Sequence, residues 1–304
     1  MIRKLLQNML ERVPDVQQLR AQRDALLTAF SGFPPGHYYS PIPGIDEVRR
    51  NADRLFDRSL RELPGIDLRT DQQLATLEQI KVFYAEQPFH DELTPGFRYS
   101  FLNDYYSYSD ALFLYGMIRL VRPRRIIEVG SGFSSFVMLD TNQRFFDRPI
   151  ELTFVEPYPD RLCSRLTDDD LRTVEILRTP VQEVPLERFD ALEKDDILFV
   201  DSTHVTKIGS DVNRIVFEVL PRLQSGVYVH FHDMFFPFEY PQVWLEQGRF
   251  WNEDYLVRAF LQYNSAFQIV IWNQFLYTAF RERLEQAMPL CLKNAGASLW
   301  LQRR

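Results

Sequence analysis

Cysteine and long apolar runs are scarce in this chain of 304 residues, and its 35 basic residues are outnumbered by 42 acidic ones. The two cysteines, Cys163 and Cys291, are too few for a disulfide framework and indicate a reducing compartment. No apolar stretch reaches the roughly 18–20 residues that a membrane-spanning helix needs. The basic start of the chain is interrupted by polar residues before a signal-peptide core can form. We therefore expect a soluble, cytoplasmic protein with no membrane span.

The net charge of −7 disfavours a nucleic-acid partner, because such proteins need a basic face to neutralise phosphates. The hydrophobic content of 45% and the aromatic content of 14% suffice for a large core and exclude disorder as the main state. The expected partner is therefore a small molecule.

Residues 1–108 are predicted to form a helical N-terminal extension that contains a proline-rich, aromatic loop. Helical spacing in residues 1–32 is interrupted at Pro14, so two helices fit better than one. The segment Phe33–Gly44 holds four prolines and two glycines and cannot form a helix or a central strand. Further helices are predicted at 46–63 and 70–86. The first helices are suitable contacts for a homodimer.

Residues 109–304 are predicted to form one α/β domain. Strands separated by helical stretches imply a doubly wound, mostly parallel sheet with right-handed crossovers. The last two strands are expected to pair antiparallel at the edge of the sheet. The predicted strands are 125–129, 151–155, 173–177, 197–200, 226–231, 267–272 and 297–302, and the predicted helices are 109–121, 134–144, 159–166, 206–223 and 253–263.

The most informative segment is the stretch Ile126-Ile-Glu128-Val-Gly130-Ser-Gly132-Phe-Ser134-Ser135. A β-branched run, an acidic residue, two spaced glycines and small hydroxyl residues predict a strand, a tight turn and a helix. Glycine has no Cβ, so a nucleoside can lie against the backbone there. Glu156 ends the second strand, where its carboxylate can accept both ribose hydroxyls, and Ser134 can cap the helix and contact the ligand.

Two cofactor classes share this layout, and a tight turn without a ligand is the third reading. A dinucleotide fingerprint requires a third glycine where this chain has Ser135. It also gives no role to Glu128. The order acid-x-Gly-x-Gly suits S-adenosylmethionine, which has no pyrophosphate to hold. Glu128 can then orient the backbone and water around the cationic methionine end. The residues favour S-adenosylmethionine.

A second cluster follows the fourth and fifth predicted strands. Asp201 and His204 end the fourth, and His232 and Asp233 end the fifth; neighbouring strands lie about 4.8 Å apart, so these side chains can converge near the glycines. His230 lies on the same face as His232 and is predicted to be a packed core histidine.

This second cluster has two functional uses. Asp201, His232 and Asp233 can hold a divalent metal that activates a substrate hydroxyl. Alternatively, His204 or His232 can serve as a general base without a metal. The non-functional alternative for Asp201 is a helix cap.

An aromatic segment from Met234 to Tyr255 is too rich in rings for a plain loop. It can form a wall or lid over a substrate, with Glu239, Tyr240 and Asn252 as polar contacts, or it can be a packed irregular segment.

The chain resembles class I S-adenosylmethionine-dependent methyltransferases, in the branch that contains the macrocin-type sugar O-methyltransferases. Glu128–Ser135 is similar to their motif I, and Glu156 stands at the acidic ribose position. Asp201-Ser-Thr-His204 resembles the Asp-Gly-Asp-His turn of that branch, and His232-Asp233 resembles its paired turn. Ser202-Thr203 replaces Gly-Asp, and a histidine replaces one acid of the pair. The resemblance covers roughly residues 110–235.

The resemblance implies a seven-stranded Rossmann-like fold whose last strand inserts antiparallel, and magnesium-dependent O-methyl transfer in some members. The prediction is an S-adenosylmethionine-dependent methyltransferase, with Mg²⁺ as a further candidate cofactor, that acts on a hydroxyl of a small molecule or sugar. The alternatives are a non-catalytic cofactor-binding scaffold, an NAD-dependent oxidoreductase and an iron-dependent hydroxylase. The predicted cofactor contacts are Glu128, Gly130, Ser131, Gly132, Ser134, Glu156 and Asp201; the catalytic residues are Asp201, His204, His232 and Asp233; the metal ligands are Asp201, His232 and Asp233.

Overall fold

The computed structural model describes residues 13–29 and 32–304. These residues form two compact units. One unit comprises the described residues up to Asp57 together with Gln242–Phe250, and the other comprises Arg58–Pro241 together with Trp251–Arg304. The division after Asp57 lies earlier in the chain than the predicted boundary at residue 108.

The helices and strands are numbered in chain order. The α-helices are α1 (Pro14–Ala29), α2 (Ile45–Arg50), α3 (Ala52–Leu55), α4 (Thr70–Lys81), α5 (Tyr108–Val121), α6 (Phe133–Phe145), α7 (Asp160–Cys163), α8 (Asp168–Thr173), α9 (Glu187–Asp190), α10 (Asp211–Arg214), α11 (Gln242–Glu246), α12 (Glu253–Leu261), α13 (Asn273–Ala279) and α14 (Arg281–Ala287). The strands are β1 (Arg125–Val129), β2 (Glu151–Val155), β3 (Glu175–Leu177), β4 (Ile197–Val200), β5 (Tyr228–Phe231), β6 (Phe267–Trp272) and β7 (Leu299–Arg303). None of the helices within the described ranges has the length and hydropathy of a membrane span.

The smaller unit contains α1, α2, α3 and α11. Pro14 begins α1, while the helix predicted before it lies outside the described residues. The helix predicted at 46–63 is instead two short helices, because Asn51 has the non-helical backbone angles φ −108° and ψ 12°. Arg49 on α2 pairs with Glu246 on α11 at 3.0 Å, which ties the two parts of this unit together.

The larger unit is built on a seven-stranded sheet in the order β3-β2-β1-β4-β5-β7-β6. The first five strands in this order are parallel, and β7 runs antiparallel to both β5 and β6. The predicted doubly wound, mostly parallel sheet is therefore confirmed, including the antiparallel insertion of the last strand. Since β7 lies between β5 and β6, the edge strand at this end of the sheet is β6, and β3 is the edge strand at the other end.

The core of the sheet is apolar on both faces. Strand β4 is buried along its whole length, and α5 is buried from Tyr108 to Ile118 and packs against α6. Residues after Arg58 also join this core: the Gln73 side chain on α4 accepts the Trp272 N–H at 2.8 Å and donates to the Leu68 carbonyl at 2.6 Å. These contacts explain why the compact unit starts well before residue 109.

Two predicted elements of the larger unit are shorter than expected, and two of its helices were not predicted. The helix expected at 206–223 is short α10 followed by a π-helical turn at Ile215–Val219 and a 3₁₀ turn at Leu220–Arg222, because Pro221 cannot continue an α-helix. Strand β3 starts only at Glu175, since Thr167 caps the helix α8 that precedes it. Helices α13 and α14 were not predicted, because α13 follows β6 directly with no turn residue between them.

Candidate active site

The glycine loop connects β1 to α6. Gly130 has φ +81°, and a Cβ atom there would overlap the backbone carbonyl oxygen of Asp201. The Gly130 N–H donates to the Val155 carbonyl at 3.0 Å, and the Asp201 N–H donates to the Val129 carbonyl at 2.9 Å. Glycine is therefore required here because the ends of β1 and β4 approach each other so closely.

Glu128 lies behind this loop and is fully buried. Its carboxylate accepts the Ser134 hydroxyl at 2.6 Å and also the Ser135 hydroxyl, and Ser135 Oγ accepts the Gly132 N–H at 2.9 Å. Burial raises the pKa of Glu128 to about 8, although the serine hydroxyls act in the opposite direction. Glu128 thus fixes the loop to the start of α6 and does not line the cavities in front of it.

Two cavities with shared walls open at the carboxyl ends of the strands, with volumes of about 310 and 300 Å³. Both are bordered by Gly130, Glu156 and Asp201. Every predicted site residue except Glu128 lines the first cavity: Gly130, Ser131, Gly132, Ser134, Glu156, Asp201, His204, His232 and Asp233. The topology therefore brings the glycine loop and the second cluster to one site, as predicted.

Glu156 follows β2 and is held by two backbone groups. Its carboxylate accepts the Ser131 N–H at 3.1 Å and the Tyr158 N–H at 2.8 Å. Because both cavities contact Glu156, its carboxylate stands where they meet. This position fits a residue that binds the hydroxyls of a ribose.

His204 is the centre of a charged cluster on the opposite wall. Its Nδ1 lies 2.8 Å from Glu253 Oε2, and its Nε2 lies 3.3 Å from Asp201 Oδ1 and 3.6 Å from Asp233 Oδ2. Burial by itself would lower the pKa of His204, but the hydrogen bonds to Asp201 and Glu253 outweigh it and raise this pKa well above its ordinary value. This shift favours the imidazolium form of His204.

The pKa values of the two aspartates beside His204 are shifted in opposite directions. Burial favours a protonated Asp201, but His232 and His204 outweigh it and lower the pKa of this carboxyl. For Asp233, burial dominates and raises the pKa. Of the two aspartates beside His204, Asp233 is thus the better proton acceptor.

The turn that carries His204 is fixed on both sides. The Thr203 N–H and hydroxyl donate to Asp211 at 2.8 and 2.7 Å, and the Ser202 hydroxyl donates to Glu253 at 3.1 Å. His204 itself has φ +61°, and its carbonyl accepts the Asn252 N–H at 3.0 Å. The start of α12 therefore positions a side chain that follows β4.

His230 on β5 and His232, which follows this strand, have different environments. His230 is fully buried, stacks on Phe199 at 3.8 Å and contacts Ser298 Oγ at 3.0 Å through Nε2. Burial lowers the pKa of His230 well below its ordinary value, so it is a neutral core residue, as predicted. His232 lines the cavity beside Tyr106, with ring centres 5.0 Å apart, and its Nδ1 is buried without a hydrogen-bond partner.

The predicted metal ligands Asp201, His232 and Asp233 all border the first cavity. Among the described residues, no group of three or more His, Cys, Asp and Glu side chains has the arrangement needed to hold a metal ion. The physical reason is the position of His204: its Nε2 stands between the carboxylates of Asp201 and Asp233. Both carboxylates border the first cavity and have the His204 ring as a charged partner.

Several residues of the site were not predicted. Glu253 lies 49 positions from His204 in the chain, so no local pattern connects them. Tyr106 and Arg161 line the first cavity, and neither belongs to a motif. Within the aromatic segment, Trp251 lines the cavity and packs on His204 at 4.5 Å, whereas Asn252 accepts the Thr206 N–H at 2.6 Å and holds the loop.

Glu239 and Tyr240, the other polar candidates of that segment, have structural contacts. The Tyr255 hydroxyl donates to Glu239 at 2.5 Å, and the Tyr240 hydroxyl accepts the Asp254 N–H at 3.2 Å. Neither residue borders the two cavities. Their role as substrate contacts therefore has no support in the geometry.

The chain is similar to several known proteins. An uncharacterized protein of Archaeoglobus fulgidus is 40% identical over 171 residues, which are 54% of this chain and 76% of that protein. The solved structure of the S-adenosylhomocysteine-bound methyltransferase PaMTH1 from Podospora anserina is 14% identical, with a TM-score of 0.42 over 87% of this chain and 99% of that one. The O-methyltransferase TomG from Streptomyces achromogenes, solved with S-adenosylmethionine, is 14% identical, with a TM-score of 0.41 over 85% and 95%.

The sequence profile described as "Methyltransferase domain" matches residues 127–234. This range begins within β1 and ends just after Asp233, so it contains the glycine loop, Glu156 and the turn with His204. Together with the strand order, this match shows that the chain contains a methyltransferase domain.

Proposed function

We propose that this protein transfers the methyl group of S-adenosylmethionine to a hydroxyl oxygen of a small molecule or sugar. The observation that carries this proposal is the cluster of His204, Asp201 and Asp233 on the wall of the cavity that also contains the glycine loop. A cofactor on the loop and a hydroxyl at the cluster would lie in one enclosed space.

The residues present fit the cofactor. Glu156 would bind the ribose hydroxyls, the backbone of Ser131 and Gly132 would border the methionyl part, and Asp201 would face its positive charge. The chemistry of the cavity wall supports this fit, since Glu156 and Asp201 are carboxylates that border both cavities. When bound, S-adenosylmethionine supplies an activated methyl group on a sulfonium. Glu128 would act indirectly by keeping the loop in place.

At the acceptor, the hydroxyl must lose its proton as its oxygen gains the methyl group. Asp233, the aspartate with the raised pKa, would take this proton, and the imidazolium of His204 would stabilise the oxygen that loses it. Glu253 would hold His204 in the required orientation. Trp251 and Tyr106 would form the walls that keep the acceptor in line with the methyl group.

This mechanism needs no metal, because protonated His204 supplies the positive charge beside Asp201 and Asp233. We therefore propose metal-free methyl transfer and expect that EDTA leaves both cofactor affinity and turnover unchanged. A requirement for Mg²⁺ that EDTA reveals would contradict this part of the proposal.

The first test is calorimetric titration with S-adenosylmethionine and, separately, with NAD, each with and without magnesium. We expect micromolar binding of S-adenosylmethionine only. Turnover is then measured as transfer of a labelled methyl group to a panel of phenols, sugars and other alcohols. Asp233→Asn is expected to lower turnover about 100-fold or more, with cofactor affinity nearly unchanged.

The matched control is Asp190→Asn, which removes the same charge at a residue that is paired with Arg222 and lies outside both cavities. If Asp233→Asn left turnover equal to that of this control, the assignment of the catalytic corner would be wrong. If S-adenosylmethionine did not bind, the methyltransferase proposal itself would fail.

A further inference from the structure

Arg161 is the one Arg or Lys side chain among the described residues that line the two cavities. The carboxylates that line the first cavity with it are Glu156, Asp201 and Asp233, and the imidazole of His204, whose pKa is raised, lies beside the two aspartates. None of the ion pairs in the described part of the chain uses Arg161. No described carboxylate lies within ion-pair distance of this guanidinium, although its charge acts on the nearby carboxyl group of Asp201.

The Arg161 side chain is held against the glycine loop. Its guanidinium lies 4.0 Å from the centre of the Tyr105 ring, and Tyr105 stacks on Phe133 at 5.7 Å with an angle of 16° between the rings. A Cβ atom on Gly132 would lie 3.3 Å from Arg161 Cδ, so the side chain passes directly over this glycine. Aromatic stacking thus orients the guanidinium without neutralising its charge.

The segment that carries Tyr105 is itself anchored. Arg98 is buried and donates to Asp140 on α6 at 2.8 Å and to Asp170 on α8 at 2.6 Å. The Asn103 side chain accepts the N–H groups of Tyr105 and Tyr106 at 3.1 and 2.7 Å. The ring beneath Arg161 therefore has a fixed position.

The guanidinium of Arg161 is suited to bind a planar anion, because arginine forms paired hydrogen bonds with a carboxylate. S-adenosylmethionine carries two positive groups, its sulfonium and its ammonium, and one negative group, its α-carboxylate. The carboxylates of the cavity can face the two positive groups, and its single arginine can face the α-carboxylate. The first backbone N–H groups of α6, next to Gly132, have no partner within the helix and favour an anion at the same place.

We propose that Arg161 binds the α-carboxylate of the methionyl part of the cofactor. This inference rests on the proposed function and adds a residue that determines how the cofactor is recognised. An acidic acceptor is the other source of a carboxylate, but the contact of Arg161 with Gly132 places it on the glycine loop, which borders the cofactor. Arg161 is therefore assigned to the cofactor.

The experiment combines a substitution in the protein with a deletion in the ligand. Wild-type protein and Arg161→Gln are titrated calorimetrically with S-adenosylmethionine and with decarboxylated S-adenosylmethionine, which keeps the sulfonium and the amine. We expect Arg161→Gln to weaken S-adenosylmethionine about 10- to 100-fold. Its effect on the decarboxylated ligand is expected to stay within about threefold, since no carboxylate is there to lose its partner.

Two further variants sharpen the result. Arg161→Lys keeps the charge but loses the paired geometry, so an intermediate loss is expected. Arg172→Gln is the control for net charge, because Arg172 pairs with Asp169 and borders neither of the two cavities; its affinities should equal those of the wild type.

Two outcomes overturn the inference while leaving the methyltransferase proposal intact. Equal losses for both ligands would show that Arg161 merely supports the loop. Unchanged affinity for S-adenosylmethionine would show that the cofactor carboxylate binds elsewhere, and Arg161 would then be free for an acidic acceptor. If the wild type bound neither ligand, the proposed function would fail and this inference with it.

Discussion

At the scale of single residues, the positions of the two glutamates Glu128 and Glu253 are instructive. Glu128 belongs to a recognisable motif, yet it acts from behind the loop through Ser134 and Ser135. Glu253 belongs to no motif, yet it makes the shortest contact of His204. Both carboxyl groups are almost completely buried and owe their role to the side chains they contact.

The raised pKa of Glu128 predicts a pH-dependent stability. A glutamate has a pKa near 4.3 when unfolded and about 8 here, so the folded state holds the extra proton between these values. This contribution to stability is complete at low pH and is lost as the pH rises towards 8, by at most about 1.4 kcal/mol per pH unit.

Urea denaturation at several pH values tests this expectation on the wild type and on Glu128→Gln, which cannot titrate. As the pH rises from 5 to 8, the free energy of unfolding of the wild type should decrease relative to that of the variant. A constant difference across this range would mean that Glu128 is ionised throughout.

Removal of the Glu253 carboxylate should change the state of His204. In Glu253→Gln the pKa of His204 is expected to fall, because one of the hydrogen bonds that raise it loses its charge. Turnover should fall about 10-fold or more, since the imidazolium is then less populated and less well oriented. NMR titration of the histidine rings measures this pKa directly.

Glu218→Gln is a suitable comparison, because this exposed glutamate pairs with Arg214 and lies outside the two cavities. It should leave the titration of His204 unchanged. An unaltered His204 pKa in Glu253→Gln would show that Glu253 has only a packing role.

At the scale of secondary structure elements, the site depends on how closely strand ends approach one another. β1 and β4 meet at Gly130 and Asp201, and the turn after β4 is fixed by α10 through Asp211 and by α12 through Glu253. The motif residues therefore need several elements that are distant in the chain to take up their positions.

Gly130→Ala should be more destabilising than its backbone angle alone explains. A left-handed φ costs a non-glycine residue about 1–2 kcal/mol, and at Gly130 the new Cβ would also overlap the Asp201 carbonyl oxygen. We expect a loss of stability of more than about 2 kcal/mol and weaker cofactor binding, measured by urea denaturation and calorimetry.

Gly209→Ala is the matched control, because Gly209 has φ +73° and no atom within 4 Å of the position of a Cβ. It should show the cost of the backbone angle alone. Equal losses in both variants would mean that β1 and β4 can separate without penalty.

At the scale of the whole molecule, the sheet is completed by the last strand of the chain. β7 pairs with β5 on one side and with β6 on the other, and its Trp300 is fully buried. The edge strand β6 thus reaches the rest of the sheet only through β7, and the compact unit draws on residues from Arg58 to Arg304.

Deletion of residues 299–304 should therefore prevent the larger unit from folding, since it removes an internal strand. Loss of near-UV circular dichroism and of cooperative urea unfolding would report this. A variant that lacks only the exposed Arg304 serves as the control and should fold normally. A cooperative transition in the longer deletion would contradict the central role of β7.

The sequence by itself determined the class of fold, the glycine loop, the acidic residue Glu156 after the second strand and the residues of the second cluster. These features follow from short-range patterns: β-branched runs, spaced glycines and acids at strand ends. Their convergence could be predicted because parallel strands place their carboxyl ends at one edge of a sheet.

Only the tertiary structure decided what each of these residues contacts. It placed Glu128 behind the loop, brought Glu253 to His204 across 49 positions, and placed the His204 ring beside Asp201 and Asp233. It also revealed Arg161 over Tyr105. Such contacts join side chains from separate elements, and their distances depend on the packing of the whole sheet, which no local pattern encodes.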